Sequence, residues 1–290
     1  MKHLLNKYSD IISNLPELKD SAKPNEKLKL WENSEKKIRC FYAPFEHLNN
    51  NAQIVLIGIT PGKTQMNRAL VAAKEAIKSN TNIEKSIAKL KQESSFSGNM
   101  RNPLIETLNK LGYQKLLGIT SASELWTDSF SKVHFCSLLK YPVFYDDKKS
   151  SNKDYNGKPN PFKIPELKKL MLDGFAKDLE KIPKSAKLIP LGETVSKYLN
   201  ELDKMGVIPQ DIFRFNGQIV APPHPSGANA EEIALLCTDT FPTKSDYLDK
   251  MYKSYIQKNK IPKQNEATYK KTRAKRWENI SFLRSAYELQ

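Results

Sequence analysis

The sequence contains little cysteine and little histidine, and this scarcity excludes most metal centres and disulfide frameworks. Its three cysteines, Cys40, Cys136 and Cys237, lie far apart and form no CxxC pair. A sparse, odd set of thiols is typical of a reducing cytoplasm, and it is too small for a usual iron–sulfur cluster. The four histidines, at positions 3, 47, 134 and 224, do not follow a zinc-ligand spacing. We therefore expect no metal and no disulfide.

Long apolar runs are also missing. The first residues, Met1–Tyr8, include Lys2 and Lys7 and lack the apolar stretch of a signal peptide. No window elsewhere approaches the ~18 uncharged residues that a membrane span requires. The sequence therefore predicts a cytoplasmic protein with no membrane partner.

What the sequence has in excess is positive charge. It carries 47 lysines and arginines against 32 acidic residues, for a formal net charge of +15. Such a balance favours a polyanionic partner, nucleic acid before an anionic membrane; a solvated, lysine-rich surface is the alternative interpretation. Because 39% of the residues are hydrophobic and 27% are charged, we expect a folded core and not a disordered chain.

Strand-like and helix-like stretches alternate along the chain, which predicts an α/β fold. The expected strands are Ile54–Ile57, Lys132–Cys136, Lys187–Leu191 and Gln218–Ala221. We expect a three-layer α/β/α sandwich around a central, largely parallel four-stranded sheet, with helical extensions at both ends. The main domain should cover residues 1–240, with its core at about 40–240. A long polar loop is expected over 141–161.

The last segment, 241–290, reads as a basic helical extension that packs on or beside the core. Its basic residues include Lys270, Lys271, Arg273, Lys275, Arg276 and Arg284. We expect this segment to form a solvated face that makes some contact with DNA, in preference to a distinct module.

Two short turns far apart in sequence hold the residues of greatest chemical interest. Gly58-Ile59-Thr60-Pro61-Gly62 follows the first expected strand, and His224-Pro225-Ser226-Gly227-Ala228-Asn229 follows the last. In an open parallel sheet, loops at the carboxyl ends of strands line the crevice where ligands bind. We therefore expect Thr60 and His224 to face one pocket.

The run Gly62-Lys63-Thr64 after a buried strand is a misleading likeness to a P-loop. Between its glycines a P-loop needs one residue more than the three that Gly58 and Gly62 enclose. Pro61, one of those three, has no N–H to offer a phosphate. A second apolar strand ending in a magnesium-binding aspartate is missing as well. We expect no nucleotide cofactor, and no cofactor of any other kind.

The two turns resemble signature motifs of the uracil-DNA glycosylase superfamily. The first is similar to the water-positioning motif Gly-x-Asn-Pro-Gly of the mismatch-specific and single-strand-selective branches, and the second to His-Pro-Ser-x-x-Asn. Three segments between them resemble further family elements in the correct order: Ser95–Gly98 with Arg101 and Leu104, Val133–Leu139, and Leu188–Gly192. The resemblance covers roughly residues 40–240.

This resemblance implies a monofunctional DNA glycosylase that flips a base out of DNA and hydrolyses its N-glycosidic bond. Thr60 would orient the attacking water, and His224 would donate to the departing pyrimidine. Gly58, Ile59, Phe96 and His134 would contact the base, although Phe96 as plain packing and His134 as a core histidine remain alternatives. The residues expected to hold flanking phosphates are Gly62, Lys63, Pro225, Ser226, Gly227 and Asn229.

Two departures from the family pattern bear on the substrate. Thr60 and His134 stand where the family usually carries Asn, which favours a modified pyrimidine contacted by the 141–161 loop. The chain resembles phage-defence glycosylases of this superfamily, which remove glucosylated hydroxymethylcytosine. Ordinary uracil repair is one alternative, and a catalytically silent DNA-binding protein of the same fold is another. We expect DNA as the partner and a monomeric protein.

Overall fold

The structure is a computed structural model that describes residues 2–79, 81–146, 151–208, 214–215, 217–258 and 264–288. The strands are β1 (Lys29–Asn33), β2 (Ile38–Phe41), β3 (Ile54–Gly58), β4 (Val133–Ser137), β5 (Val143–Tyr145), β6 (Lys153–Asp154), β7 (Lys187–Pro190), β8 (Arg214–Phe215) and β9 (Gln218–Ile219). The helices are α1 (Lys2–Ser13), α2 (Lys63–Lys78), α3 (Ile83–Ser94), α4 (Arg101–Lys110), α5 (Tyr113–Leu116), α6 (Pro165–Leu170), α7 (Lys177–Leu179), α8 (Glu193–Lys204), α9 (Ala230–Cys237), α10 (Lys244–Lys258) and α11 (Glu266–Ala286). A π-helical stretch, Met171–Ala176, joins α6 to α7. Within these ranges, none of the helices combines the length and the apolar character needed to traverse a bilayer.

Three strands form a parallel sheet in the order β4-β3-β7. Ile54–Ile57, in the middle strand, are completely buried, as expected for a strand covered by helices on both faces. The parallel register aligns Gly58 with Ser137 on β4, and Ile57 with Pro190 on β7. The carboxyl ends of the three strands therefore lie at one edge of the sheet, where the first turn begins.

The prediction of a single four-stranded parallel sheet is wrong, because the parallel sheet in the described part of the chain has three strands. The fourth expected strand, Gln218–Ala221, is reduced to β9, which pairs antiparallel with β8. The chain after β9 still runs beside the sheet, since the Gly192 N–H donates to the Pro222 carbonyl at 3.0 Å. Pro222 and Pro223 have no N–H groups and cannot continue a ladder, so the apolar run does not become a central strand.

A second sheet, antiparallel and four-stranded, has the order β1-β2-β5-β6 and was not predicted. Two of its strands come from the segment 141–161, where the sequence predicted a long polar loop. Cys40 pairs with Val143, and Phe144 pairs with Asp154. Residues 147–150 of that segment lie outside the described residues. The predicted loop thus contributes two short strands to this sheet, and the edge strand β6 brings Asp154 to the first turn.

Helices cover both faces of the parallel sheet. On one face the π-helical stretch and α8 pack against Val55, Ile57 and Leu188. On the other face α4, α9 and α11 pack against Ile54 and Leu56. Helices α1 and α2 form a third apolar cluster with the antiparallel sheet. The prediction of a mixed α/β fold is confirmed.

The C-terminal helices pack against α9, the helix that directly follows the histidine turn. Ile280 and Leu283 of α11 are buried in the same apolar cluster as α9. The buried Arg284 guanidinium donates to the carbonyls of Leu236 and Thr238, each at 2.8 Å. These two carbonyls lie at the end of α9, so α11 closes that end of the helix.

Candidate active site

A cavity of about 440 Å³ opens at the carboxyl ends of β3 and β4. Its volume lies within the range of small-molecule pockets. Its walls come from the first turn, strand β4, the segments 94–97 and 154–156, and the histidine turn. The predicted site residues that line it are Gly58, Ile59, Thr60, Gly62, Phe96, His134 and His224. The structure therefore brings both turns to one cavity.

Thr60 joins the first turn to the antiparallel sheet. Its hydroxyl donates to the Tyr141 carbonyl at 3.1 Å and accepts the Val143 N–H, also at 3.1 Å. A hydroxyl has one hydrogen and two lone pairs, so one lone pair is left for a ligand. Thr60 can accept a hydrogen bond from a water, but it has no free hydrogen to donate.

Asp154 lies across the first turn, at the beginning of α2. Its Oδ1 accepts the Lys63 N–H at 3.0 Å. A Cβ added to Gly62 would lie 3.0 Å from Oδ2, so glycine makes room for this carboxylate. The side chain is exposed at the cavity wall, but the surrounding protein desolvates it and raises its pKa, partly offset by the Lys63 N–H and the Lys63 charge. Asp154 was not predicted as a site residue, because in the sequence it is only one member of the polar segment 141–161.

His224 lies in a turn that is closed by hydrogen bonds between the residues of the turn itself. Its carbonyl accepts the Ser226 N–H at 2.8 Å and the Asn229 side-chain amide at 2.9 Å. A Cβ added to Gly192, which has a φ of 90°, would lie 3.0 Å from the His224 Cβ. Partial burial lowers the pKa of His224, so the ring is neutral at neutral pH. Within the described residues this ring makes no hydrogen bond, and its N–H is available to a ligand.

His134, on β4, is a far more buried imidazole, only 3% exposed. Its Nδ1 accepts the Asn49 N–H over a long 3.4 Å contact. Burial, with the nearby charges of Lys91 and Lys140, holds its pKa well below the usual value. The neutral ring therefore carries its proton on Nε2, and it offers a ligand one donor and no free acceptor.

Lys91, a cavity residue that the sequence did not predict, lies near His134. It comes from α3, is 8% exposed, and donates to the His47 carbonyl at 2.9 Å. Burial lowers the pKa of Lys91 to about 8. Another cavity lysine, Lys140, pairs with Asp178 at 2.5 Å. In the sequence Lys91 is one of several lysines on an amphipathic helix, so no pattern distinguishes it.

Phe96 has a φ of 51°, which is unusual for a bulky residue and costs about 1–3 kcal/mol. The segment is held by Trp126, whose Nε1 donates to the Ser95 carbonyl at 2.8 Å. The Phe96 ring is 8% exposed and packs edge-on against Phe135, with 6.0 Å between the ring centroids. Phe96 therefore belongs to the core and also lines the cavity.

The other residues predicted to bind phosphates lie outside the cavity, on the two turns that border it. Lys63 and Ser226 are half-buried, Pro225 is buried, and Gly227 is exposed. Asn229 lines a second cavity of about 470 Å³, which shares His224 with the first. Because its side-chain amide bonds the His224 carbonyl, Asn229 shapes the turn.

Comparison with known proteins gives a relative in Bacillus subtilis. No protein-family model matches the chain. The crystal structure of wild-type SMUG2 from Pedobacter heparinus has a TM-score of 0.37 and 14% identity to this chain, with 90% of this chain and 100% of that chain covered. The uncharacterized protein YoxB of Bacillus subtilis (strain 168) is 33% identical over 201 residues, which are 69% of this chain and 75% of YoxB. The chain therefore belongs to the same family as YoxB.

Proposed function

We propose that this protein is a monofunctional DNA glycosylase of the uracil-DNA glycosylase superfamily. It flips a pyrimidine out of DNA and hydrolyses its N-glycosidic bond, leaving an abasic site. The observation that carries the proposal is the meeting of Thr60 and His224 in one cavity at the carboxyl edge of the parallel sheet. The order and spacing of the two turn motifs support the same assignment.

His224 provides the main electrostatic contribution. Breaking the bond leaves negative charge on the base and positive charge on the sugar. The free N–H of the neutral His224 ring donates to a pyrimidine carbonyl and stabilises the departing base. Removing one preorganised donor of this kind costs ~10²–10³ in rate.

The target base enters the cavity by flipping out of the DNA, and the lost stacking and pairing cost a few kcal/mol. Contacts to the cavity, including Phe96, offset that cost. The net charge of +15 attracts the phosphate backbone, and Lys63 and Ser226, on the two turns that border the cavity, would hold flanking phosphates. Such contacts fix the register of the DNA and carry no sequence information.

We propose a modified cytosine, with phage defence as the role, in preference to uracil. An Asn in the place of His134 would offer both a donor and an acceptor to uracil's N3–H and O4. The acceptor of His134 is occupied by Asn49, and losing such a paired contact costs about 1–3 kcal/mol of discrimination. Asn156, on the cavity wall, offers its side-chain amide to hydroxyls on a 5-substituent.

The test is excision from oligonucleotides that contain uracil, hydroxymethyluracil, hydroxymethylcytosine or glucosylated hydroxymethylcytosine, scored as abasic sites. We expect excision to be fastest with a bulky 5-modified cytosine. His224→Ala should lower the single-turnover rate by ~10²–10³ with little change in DNA affinity, because the donor acts on charge formed in the transition state.

Three outcomes contradict parts of this proposal. Faster excision of plain uracil replaces the defence role with uracil repair. DNA binding without excision of any base supports the catalytically silent module. Trapping of an enzyme–DNA adduct by borohydride, through a cavity amine such as Lys91 or Lys140, contradicts the monofunctional mechanism.

A further inference from the structure

The hydroxyl of Thr60 is a poor candidate for activating the attacking water. Its hydrogen is used by the Tyr141 carbonyl, and one of its lone pairs is used by the Val143 N–H. Its remaining lone pair can orient a water, but a hydroxyl does not take up a proton near neutral pH. The first turn therefore needs another group if water is to be deprotonated there.

We propose that Asp154 is the general base of the glycosylase reaction, with Thr60 orienting the same water. This inference rests on the proposed function. Asp154 lines the cavity together with Thr60 and His224. Its Oδ1 is fixed by the Lys63 N–H at 3.0 Å, so the carboxylate has a set position. Its Oδ2 makes no hydrogen bond within the described residues and points to where a Gly62 side chain would be.

The electrostatic surroundings of Asp154 suit this role. Desolvation by the cavity wall raises the pKa of the carboxyl, and the Lys63 N–H and Lys63 charge act in the opposite direction. A carboxylate with a raised pKa is a stronger base than an ordinary surface aspartate. Oδ1 thus holds the side chain in place, and Oδ2 is the oxygen that takes the proton from the water.

The reaction balances without a cofactor. As the C1′–N1 bond breaks, its electron pair leaves with the base, which His224 stabilises. The water oxygen bonds to C1′, and one water proton passes to Asp154 Oδ2. The sugar keeps a C1′ hydroxyl, the departing base takes up a proton, and Asp154 returns its own proton to solvent.

The test compares Asp154→Asn with wild type in single-turnover excision across pH. Asparagine keeps an oxygen for the Lys63 N–H, so the variant should fold, and it removes the base. We expect the rate to fall by ~10²–10⁴, the usual contribution of general acid–base catalysis. The wild-type rate should decline as pH falls through the pKa of Asp154, and the Asp154→Asn profile should lack that decline, keeping only any change that comes from the titration of His224.

Asp128→Asn is the matched control, because Asp128 is an exposed aspartate outside the cavity. If Asp154→Asn excises as fast as Asp128→Asn and keeps the wild-type pH profile, Asp154 is not the base. If Asp154→Asn does not fold, Asp154→Ser, whose hydroxyl can also accept the Lys63 N–H, replaces it. Wild type that excises no base overturns the proposed function together with this inference, whereas active wild type with an unaffected Asp154→Asn overturns the inference alone.

Discussion

Replacing Gly192 with alanine tests whether the placement of His224 sets the rate. Gly192 has a φ of 90° and a ψ of 157°, a conformation that is essentially restricted to glycine and costs another residue about 1–3 kcal/mol. The alanine Cβ would lie 3.0 Å from the His224 Cβ and 3.6 Å from its backbone N. Real Cβ contacts are seldom shorter than 3.4 Å, so His224 has to move by a few tenths of an ångström.

We expect the free energy of unfolding to fall by about 2 kcal/mol in Gly192→Ala, measured by urea denaturation. The single-turnover excision rate should fall roughly tenfold, because a displacement of about 1 Å at a reacting centre costs ~10²-fold and this one is smaller. DNA affinity should change little, since His224 acts on charge that forms in the transition state.

Gly112→Ala is the control for backbone strain alone. Gly112 has a φ of 80° and a ψ of 9°, and an added Cβ there would meet nothing within 4 Å. An alanine in this left-handed region costs about 1–2 kcal/mol without touching the cavity. If both variants lose stability and both excise at the wild-type rate, Gly192 does not position His224 for catalysis.

Two further predictions concern buried polar groups. Thr60→Val should lower the free energy of unfolding by about 1–3 kcal/mol, because the Val143 N–H loses its acceptor; Thr60→Ser keeps the acceptor and should lose less. Lys91→Met should be more stable than wild type at pH 7, by up to about 3 kcal/mol. The pKa of Lys91 is about 8 when folded and 10.5 when unfolded, so the unfolded state binds more protons between these values and wild type gains stability there. Denaturation at pH 7 and pH 10 should show the advantage of Lys91→Met shrinking; a constant advantage contradicts the lowered pKa.

The strands and turns that line the cavity were the easiest features to predict from sequence. Ile54–Ile57 is an uninterrupted apolar run, which is typical of a strand covered on both faces. The first turn directly follows this strand, so Thr60 lies at its carboxyl end as expected. The second turn follows β9, which is not part of the parallel sheet, and the Pro222 segment beside Gly192 brings His224 to the same cavity. Both patterns are local in the sequence, and the fold brings the two turns to the same cavity.

The missed features depend on contacts between distant segments. The antiparallel sheet pairs residues 38–40 with 143–145, and its strands, of two to five residues each, are too short to give a periodic signal. Asp154 gains its importance from the Lys63 N–H, which lies 91 positions earlier in the chain. Lys91 becomes unusual only once α3 is packed over the cavity. Pro222 and Pro223 show the opposite case, where a local feature of the sequence overrides an apolar pattern.

The arginines of α11 form ion pairs and hydrogen bonds within the protein, which reduces the positive electrostatic potential that they contribute at this end of the molecule. Arg276 donates to Glu231 at 2.8 Å, Arg273 lies 3.4 Å from the same carboxylate, and Arg284 is buried on the carbonyls of α9. Lys270 pairs with Asp249 and Glu266, which leaves Lys271 and Lys275 as the exposed cations of this basic group. Much of the positive charge that resembles a DNA-binding tail is therefore used within the protein, where the arginines attach α11 to α9, the helix that follows the histidine turn. A nucleic acid would therefore feel a weaker attraction from this end of the molecule than its basic residues counted alone suggest.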